Sequence, residues 1–262
     1  MIPVASIAFM AISGVVAIGL PVGLFLGLRR ALGLRWVPML VGVAVFVVFV
    51  LVLESLLHRV VLHPAADGTI ELRTANPWLY IAYGALAAGV FEETGRFLGF
   101  TLLKRAFRGV RTAVAYGIGH GGIEAILLVG ITMVADLAIS VLINAGQTDL
   151  LPPATVAALA QEPSWMFLVA GSERVMAITL HLALSVLVWV AVTHRGRRWL
   201  FPLAILLHAL ADVPPVMMQT GMLNLVATEL LTLALVAGVT VYAVTWFRRS
   251  LAEERLAADA AS

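Results

Sequence analysis

The chain has 262 residues, of which 61% are hydrophobic and 12% charged, and its formal net charge is +2. A soluble domain carries roughly twice that charged fraction, so a water-facing globule is excluded for want of polar side chains to cover it. The absence of cysteine excludes a disulfide framework, a thiolate metal site and a cysteine nucleophile.

Apolar runs of about 20 residues recur along the chain, each long enough to cross a hydrocarbon core of ~30 Å as a helix. The alternating segments of roughly ten residues that build a transmembrane barrel are missing. The expected fold is therefore all-α, a polytopic transmembrane helix bundle of about seven spans. In chain order these are 3–28, 37–57, 77–103, 112–143, 164–193, 199–218 and 222–247. The opening MIPVASIAFM has no positive n-region and reads as a retained first helix, not a cleaved signal. The fourth and fifth spans are long and are expected to tilt, kink or break. Two polar connections stand out. One is 58–76; the other is 144–163, where Pro152 and Pro153 allow a short surface helix. No repeat or linker marks a second domain, so 1–262 reads as one integral membrane domain with a catalytic core of about 77–218.

Lysine and arginine placement sets the orientation. Alternate connections hold Arg29, Arg30 and Arg35; Lys104, Arg105, Arg108 and Arg111; Arg195, Arg197 and Arg198; and Arg248, Arg249 and Arg255. The opposite set holds Arg59 and Arg73. The basic set is expected to be cytoplasmic, with the N-terminus outside and the C-terminus inside, in a bacterial-type cell membrane. Charge spread over four separate edges is a topology signal and a contact for anionic lipid, so no nucleic-acid partner is expected. Trp36, Trp78, Trp165, Trp199 and Trp246 fall near span ends, as an interfacial belt does.

Ionisable residues inside the spans carry the functional reading. A charge at mid-bilayer costs on the order of 2.5–3.5 kcal/mol on the insertion scale. The third span nonetheless contains Glu92, Glu93 and Arg96; the fourth Tyr116, His120, Glu124 and Asp136; the fifth Glu173, Arg174 and His181; the sixth His208 and Asp212; and the seventh Glu229. Glu92 and Arg96, His120 and Glu124, and His208 and Asp212 each lie four apart and share a helix face. Polar faces on four helices are satisfied by turning toward one another. Counted at 1.5 Å per residue, Glu92, His120, Glu124, His181 and His208 fall in one layer roughly 12–18 Å from the basic ends of their spans.

Carboxylates beside imidazoles suit two chemistries. A glutamate activates water as general base while histidines stabilise the oxyanion or protonate the leaving amine. Alternatively His120, His181 and His208, with or without a carboxylate, hold zinc and lower the pKa of its water. The paired Glu92 and Glu93 favour the first, without a cofactor; zinc is the alternative. The glycines at 117, 119, 121 and 122 read first as close helix packing and second as backbone left open to a substrate strand.

The set EETGR at 92–96, Tyr116-x-x-x-His120 and HALAD at 208–212 resembles the superfamily of CAAX-prenyl endopeptidases and bacteriocin-processing proteins, whose pattern is EExxxR, FxxxH and HxxxN/D on separate helices. The shorter first motif resembles the PrsW-type branch. The run FEETGRF followed by GIGHGGIEA resembles the YhfC-type intramembrane protease family, over nearly the whole chain. The resemblance implies that Glu92 is the water-activating base, Glu93 its partner and Arg96 the residue orienting the pair. His120 and His208 would flank water and oxyanion, and Asp212 would fill the third motif. Glu124 and His181 would be additional site residues of the YhfC-like branch.

Each group also has a structural reading. Glu92, Glu93 and Arg96 can fix helix register as a buried ion pair; His120 with Glu124, and His208 with Asp212, can be interhelical hydrogen-bond pairs; His181 can cap a polar interior. A structural salt bridge is the favoured reading of Arg174 and Glu173, and Asp136 and Glu229 read as structural or water-facing. The functional expectation is an intramembrane endopeptidase acting on a membrane-anchored peptide or protein, with a polar cavity reaching the cytoplasmic side. Its rivals are a zinc-dependent protease using the same residues, a proton-coupled transporter, and a non-catalytic immunity or scaffold protein.

Overall fold

A computed structural model of the chain describes residues 1–260, and every regular element among them is helical. The helices are α1 Val4–Leu32, α2 Trp36–Leu62, α3 Glu71–Ala75, α4 Pro77–Leu103, α5 Arg111–Asn144, α6 Pro153–Gln161, α7 Ser164–Thr193, α8 Leu200–Gln219 and α9 Leu225–Asp259. Six of them, α1, α2, α5, α7, α8 and α9, are long and apolar enough to cross a membrane. With 27 residues α4 matches them in length, but Glu92, Glu93 and Arg96 lie buried in its middle. The protein is a multi-pass membrane protein. Large apolar side chains such as Leu86, Val90, Leu98 and Leu102 of α4 are exposed on its outside, where a soluble protein would tolerate no such belt.

Local chemistry explains several boundaries. Pro77 occupies the first turn of α4, where its missing N–H costs nothing, and the Asn76 side chain accepts a hydrogen bond from the Leu79 N–H at 3.1 Å. Asn224 caps α9 in the same way through the Ala227 N–H. The surface helix expected after Pro152 is α6. The long fourth span is continuous, re-registered by a π-helical segment at Ile126–Gly130 one residue beyond Ala125. A second π segment, Val47–Glu54, interrupts α2.

Side-chain ties identify the two ends of the bundle. At the basic end the Lys104 ammonium donates to the Val192 carbonyl, the Val110 N–H to Glu254, and Arg197 to both carboxylate oxygens of Glu253. At the other end Ile2 and Asn144 exchange two hydrogen bonds, Ser6 meets Ser164 at 2.8 Å, and the Tyr80 hydroxyl donates to Gln219 at 2.9 Å.

The glycines of α5 let three helices approach it closely. A Cβ on Gly119 would lie 2.0 Å from the Met39 carbonyl oxygen of α2, and one on Gly42 would lie 2.3 Å from the Tyr116 carbonyl oxygen. Because both obstacles are backbone, the helices themselves would have to part. Gly119→Ala is expected to destabilise the bundle by on the order of 3 kcal/mol, the upper range for overpacking. A clear fall in the thermal midpoint of the detergent-solubilised protein checks this, with Gly23→Ala, which meets nothing within 4 Å, as the control.

Candidate active site

Four helices bring the predicted ionisable residues into one cluster. Glu92 and Glu93 come from α4, His120 and Glu124 from α5, His181 from α7, and His208 and Asp212 from α8. Glu93, Arg96 and His120 are fully buried; Glu92, His181 and His208 nearly so. Glu92 sits at the centre. One of its oxygens, Oε2, is 2.8 Å from His120 Nε2 and 3.8 Å from His181 Nδ1; the other, Oε1, is 3.9 Å from His208 Nε2. The imidazole centroids of His120 and His181 are 4.8 Å apart, and those of His181 and His208 5.5 Å.

Around this centre each imidazole has a fixed back. The His208 Nδ1–H donates to Glu93 Oε1 at 2.7 Å, leaving Nε2 toward Glu92 and, at 3.6 Å, toward Asp212. The His181 Nε2–H donates to Glu124 Oε2 at 2.5 Å. Glu124 is itself held by Arg174, whose Nη1 donates to its Oε1 at 2.9 Å. A carboxylate on the far nitrogen fixes tautomer and ring orientation. Arg96 ties the shell together. Its Nη1 donates to the His181 carbonyl and the Ser185 hydroxyl, its Nη2 donates to His181 Nδ1 at 3.0 Å, and its Nε lies 3.0 Å from Glu93 Oε2. The last is an ion contact without hydrogen-bond alignment, since both atoms lack an aligned partner.

All eight predicted site residues are thus brought together: Glu92, Glu93, Arg96, His120, Glu124, His181, His208 and Asp212. The Arg174 salt bridge reaches into the cluster, with Glu173 at 3.7 Å behind it. Asp136 lies apart, in a hollow beside α6. Ser185 was missed, and its only signal is a position one turn beyond His181. Glu54 was missed as well. It is buried at the end of the α2 π segment and bonds His58, which in turn meets the Tyr83 hydroxyl at 2.8 Å. Tyr116 contributes a surface, not its hydroxyl: its ring stacks near His120 and under Arg96, and its Oη has no partner.

The cluster opens into a cavity of about 310 Å³ lined by Glu92, Glu124, His181, His208 and Asp212, and further out by Glu173, Met218, Thr228 and Glu229. The expected opening toward the basic end is not what the structure has. That end is closed by an apolar plug including Phe100, Leu103, Val110, Tyr116, Leu187, Trp189, Leu200 and Trp246. The cavity runs instead toward Met218 and Thr228, at the adjoining ends of α8 and α9, opposite the arginines. The sequence count placed the layer in depth but carried no information on which side of it the apolar residues from four helices would pack.

One carboxylate and two imidazoles also meet the requirement for a metal in donor type and mutual reach. Ligand atoms of Glu92, His120 and His181 all lie within 4.8 Å of one another. Nitrogen and oxygen donors of this kind suit zinc, and the Glu124 contact is the outer-shell partner that a metal-bound histidine has. His120 Nδ1 is buried without a partner, a donor atom that no protein group satisfies. The donor set therefore fits a metal and favours the zinc alternative over the expected absence of a cofactor.

Comparison with known proteins agrees in kind. The chain is 34% identical over 256 residues to the uncharacterized membrane protein YhfC of Bacillus subtilis (strain 168), an alignment that covers 93% of this chain and 97% of that protein. The sequence model of the YhfC intramembrane metalloprotease family matches residues 16–232, a stretch that contains every residue of the cluster. With its four-helix carboxylate–imidazole centre inside that match, the chain belongs to the YhfC intramembrane metalloprotease family.

Proposed function

We propose that the protein is an intramembrane peptidase that hydrolyses a membrane-anchored peptide or protein at Glu92, with zinc held by Glu92, His120 and His181. The observation that carries this is the convergence of Glu92 with three imidazoles from three other helices beside a polar cavity. In the same reading α4 is a seventh span, the N-terminus lies outside and the C-terminus inside. The chain is then one membrane domain with its catalytic core at about 77–218.

Bound zinc would polarise the scissile carbonyl and acidify a water. The chain's own residues do the rest. Glu93 locks the His208 tautomer so that Nε2 faces the reaction centre. In that tautomer Nε2 is unprotonated; it takes the proton the attacking water loses as its oxygen adds to the carbonyl carbon, and gives it to the leaving amine as the C–N bond breaks. Glu124 fixes His181, and Arg96 anchors His181 and Glu93 without facing the cavity. Asp212, 3.6 Å from His208 Nε2, stabilises the imidazolium that forms between the two transfers.

A metal-free reading has a specific observation in its favour. Glu92 and His120 are in direct hydrogen-bond contact, and the Arg96 guanidinium occupies the His181 nitrogen nearest Glu92. There Glu92 takes the proton from water and returns it to the leaving amine as the C–N bond breaks, while His120 and His208 flank the oxyanion. Metal analysis separates the two. The purified protein is expected to hold about one zinc per chain, to lose cleavage of a membrane-anchored reporter with a chelator, and to lose zinc in His120→Ala. Chelator-resistant cleavage by metal-free protein would select the glutamate mechanism. Solute uptake into proteoliposomes without cleavage would overturn both in favour of a transporter.

A further inference from the structure

A second cavity, about 460 Å³, lies between α2, α4 and α8. Its wall includes His58, Leu62, Ile70, Tyr80, Gly84 and Gln219. It shares Ala88, Asp212 and Pro215 with the cavity that holds the cluster. Ala88 stands one helical turn before Glu92 on the same face. The two cavities therefore meet beside the reaction centre, and both open at the end of the bundle opposite the four basic clusters, where Arg59 alone of the basic residues lines the second cavity.

Their linings differ in a way that divides the work. The cluster cavity carries Glu92, Glu124, Glu173 and Glu229 with Arg174, His181 and His208, charged and polar groups that hold water at the reaction centre. The second combines apolar surface, from Leu62, Ile70 and Val216, with His58, Arg59, Tyr80 and Gln219 as hydrogen-bonding groups. Apolar walls with a few polar groups that fix orientation are what an extended peptide needs. Pro214 and Pro215 lie inside α8. They leave carbonyls in the preceding turn without their helical donors, beside the point where the cavities join.

We propose that the carboxylate–imidazole centre is loaded from the face opposite the arginine clusters, by an extended peptide segment laid in the cavity between α2, α4 and α8, while water reaches it through the acidic cavity. By the positive-inside rule that face is extracytoplasmic. The substrate class is then a membrane-anchored chain whose scissile segment lies at the outer leaflet, not a cytoplasmic tail. This rests on the peptidase reading for the identity of the occupant, but the route itself is testable without a substrate.

The chain has no cysteine, so single cysteines report access directly. Gly84→Cys, Ala88→Cys and Val216→Cys line the route on two helices. A Cβ at Gly84 meets only Val216 methyls at 3.6 Å, so the smaller changes fit. Ala66→Cys in the 58–76 loop and Ala106→Cys at the basic end mark the two faces, and Leu86→Cys on the exposed apolar surface of α4 marks lipid. A membrane-impermeant maleimide is applied to right-side-out and inside-out vesicles. The three route cysteines are expected to react from the side that labels Ala66→Cys, at least tenfold faster than Leu86→Cys, and not from the side that labels Ala106→Cys. Labelling together with Ala106→Cys, or from neither side, overturns the route. For the occupant, Gly84→Phe is expected to cut reporter cleavage at least tenfold while Gly23→Phe, at a position outside both cavities where a Cβ meets nothing within 4 Å, keeps it. Undiminished cleavage by Gly84→Phe overturns the peptide's placement. Route cysteines that label as expected, in a protein whose wild type cleaves nothing, would count against the peptidase reading and leave the route standing.

Discussion

Glu92→Gln is expected to reduce cleavage by about 10²–10⁴-fold, the range that positioned acid–base groups supply, without unfolding the protein. The substitution is isosteric, so no void forms. The amide can still hydrogen-bond His120 at the 2.8 Å contact. What disappears is the charge and the proton-accepting oxygen. The contacts of Glu92 are imidazoles, not the guanidinium that holds Glu93. A buried carboxylate without a cationic partner is a standing desolvation cost, so neutralising it is expected to leave the thermal midpoint, compared between the metal-free proteins, unchanged or raise it. Loss of turnover with retained or increased stability is the signature of a working group and not of a structural one. In the zinc reading the variant also loses metal; in the glutamate reading it does not. A variant that keeps full turnover would remove Glu92 from the mechanism in either case.

Much of this centre was legible because intramembrane charge is rare enough that each instance is informative. The i, i+4 pairs on α4, α5 and α8 fixed which faces had to meet, and rise per residue put His120, His181 and His208 at one depth. The long polar connection at 144–163 and the breaker pair Pro152–Pro153 located α6. Three features escaped for identifiable reasons. Ser185 is an ordinary small residue in an apolar run, and its role exists only because Arg96 reaches across from α4. Glu54 was hidden in a run of valines and leucines, at the end of a π segment that no spacing rule announces. The direction of the cavity depends on side-chain volume summed over α4, α5, α7, α8 and α9. Tyr116, Trp189 and Trp246 fill the basic end, while the opposite end is left open beside Ala88 and the α8 prolines. Periodicity reports which face of a helix is polar; it does not report which end of a bundle is filled.

The neighbouring carboxylate has the opposite role, and Arg96 shows why. Arg96→Met is expected to destabilise the protein by about 3–5 kcal/mol, the usual cost of removing one partner from a buried ion pair. The side chain is fully buried and contacts Glu93, Ser185 and both the carbonyl and the ring of His181. Methionine fills much of the volume but leaves Glu93 with His208 alone and strips the His181 carbonyl of its charged donor. Lysine is not expected to rescue it, because one ammonium cannot span contacts that a planar guanidinium makes on three sides. The companion change Glu93→Gln in the Arg96→Met background should recover part of the loss, since the uncompensated carboxylate is then gone. A double-mutant cycle on thermal or denaturant midpoints in detergent reads that coupling. If Arg96→Met and Glu93→Gln simply add, the two charges do not depend on one another and the Glu93–Arg96 pair is not what holds His208 in place. A strong coupling, together with normal stability of Glu92→Gln, would assign the adjacent carboxylates of one helical turn to different tasks. Glu93 would brace the site and Glu92 would face its reactants, because Arg96 reaches only one of them.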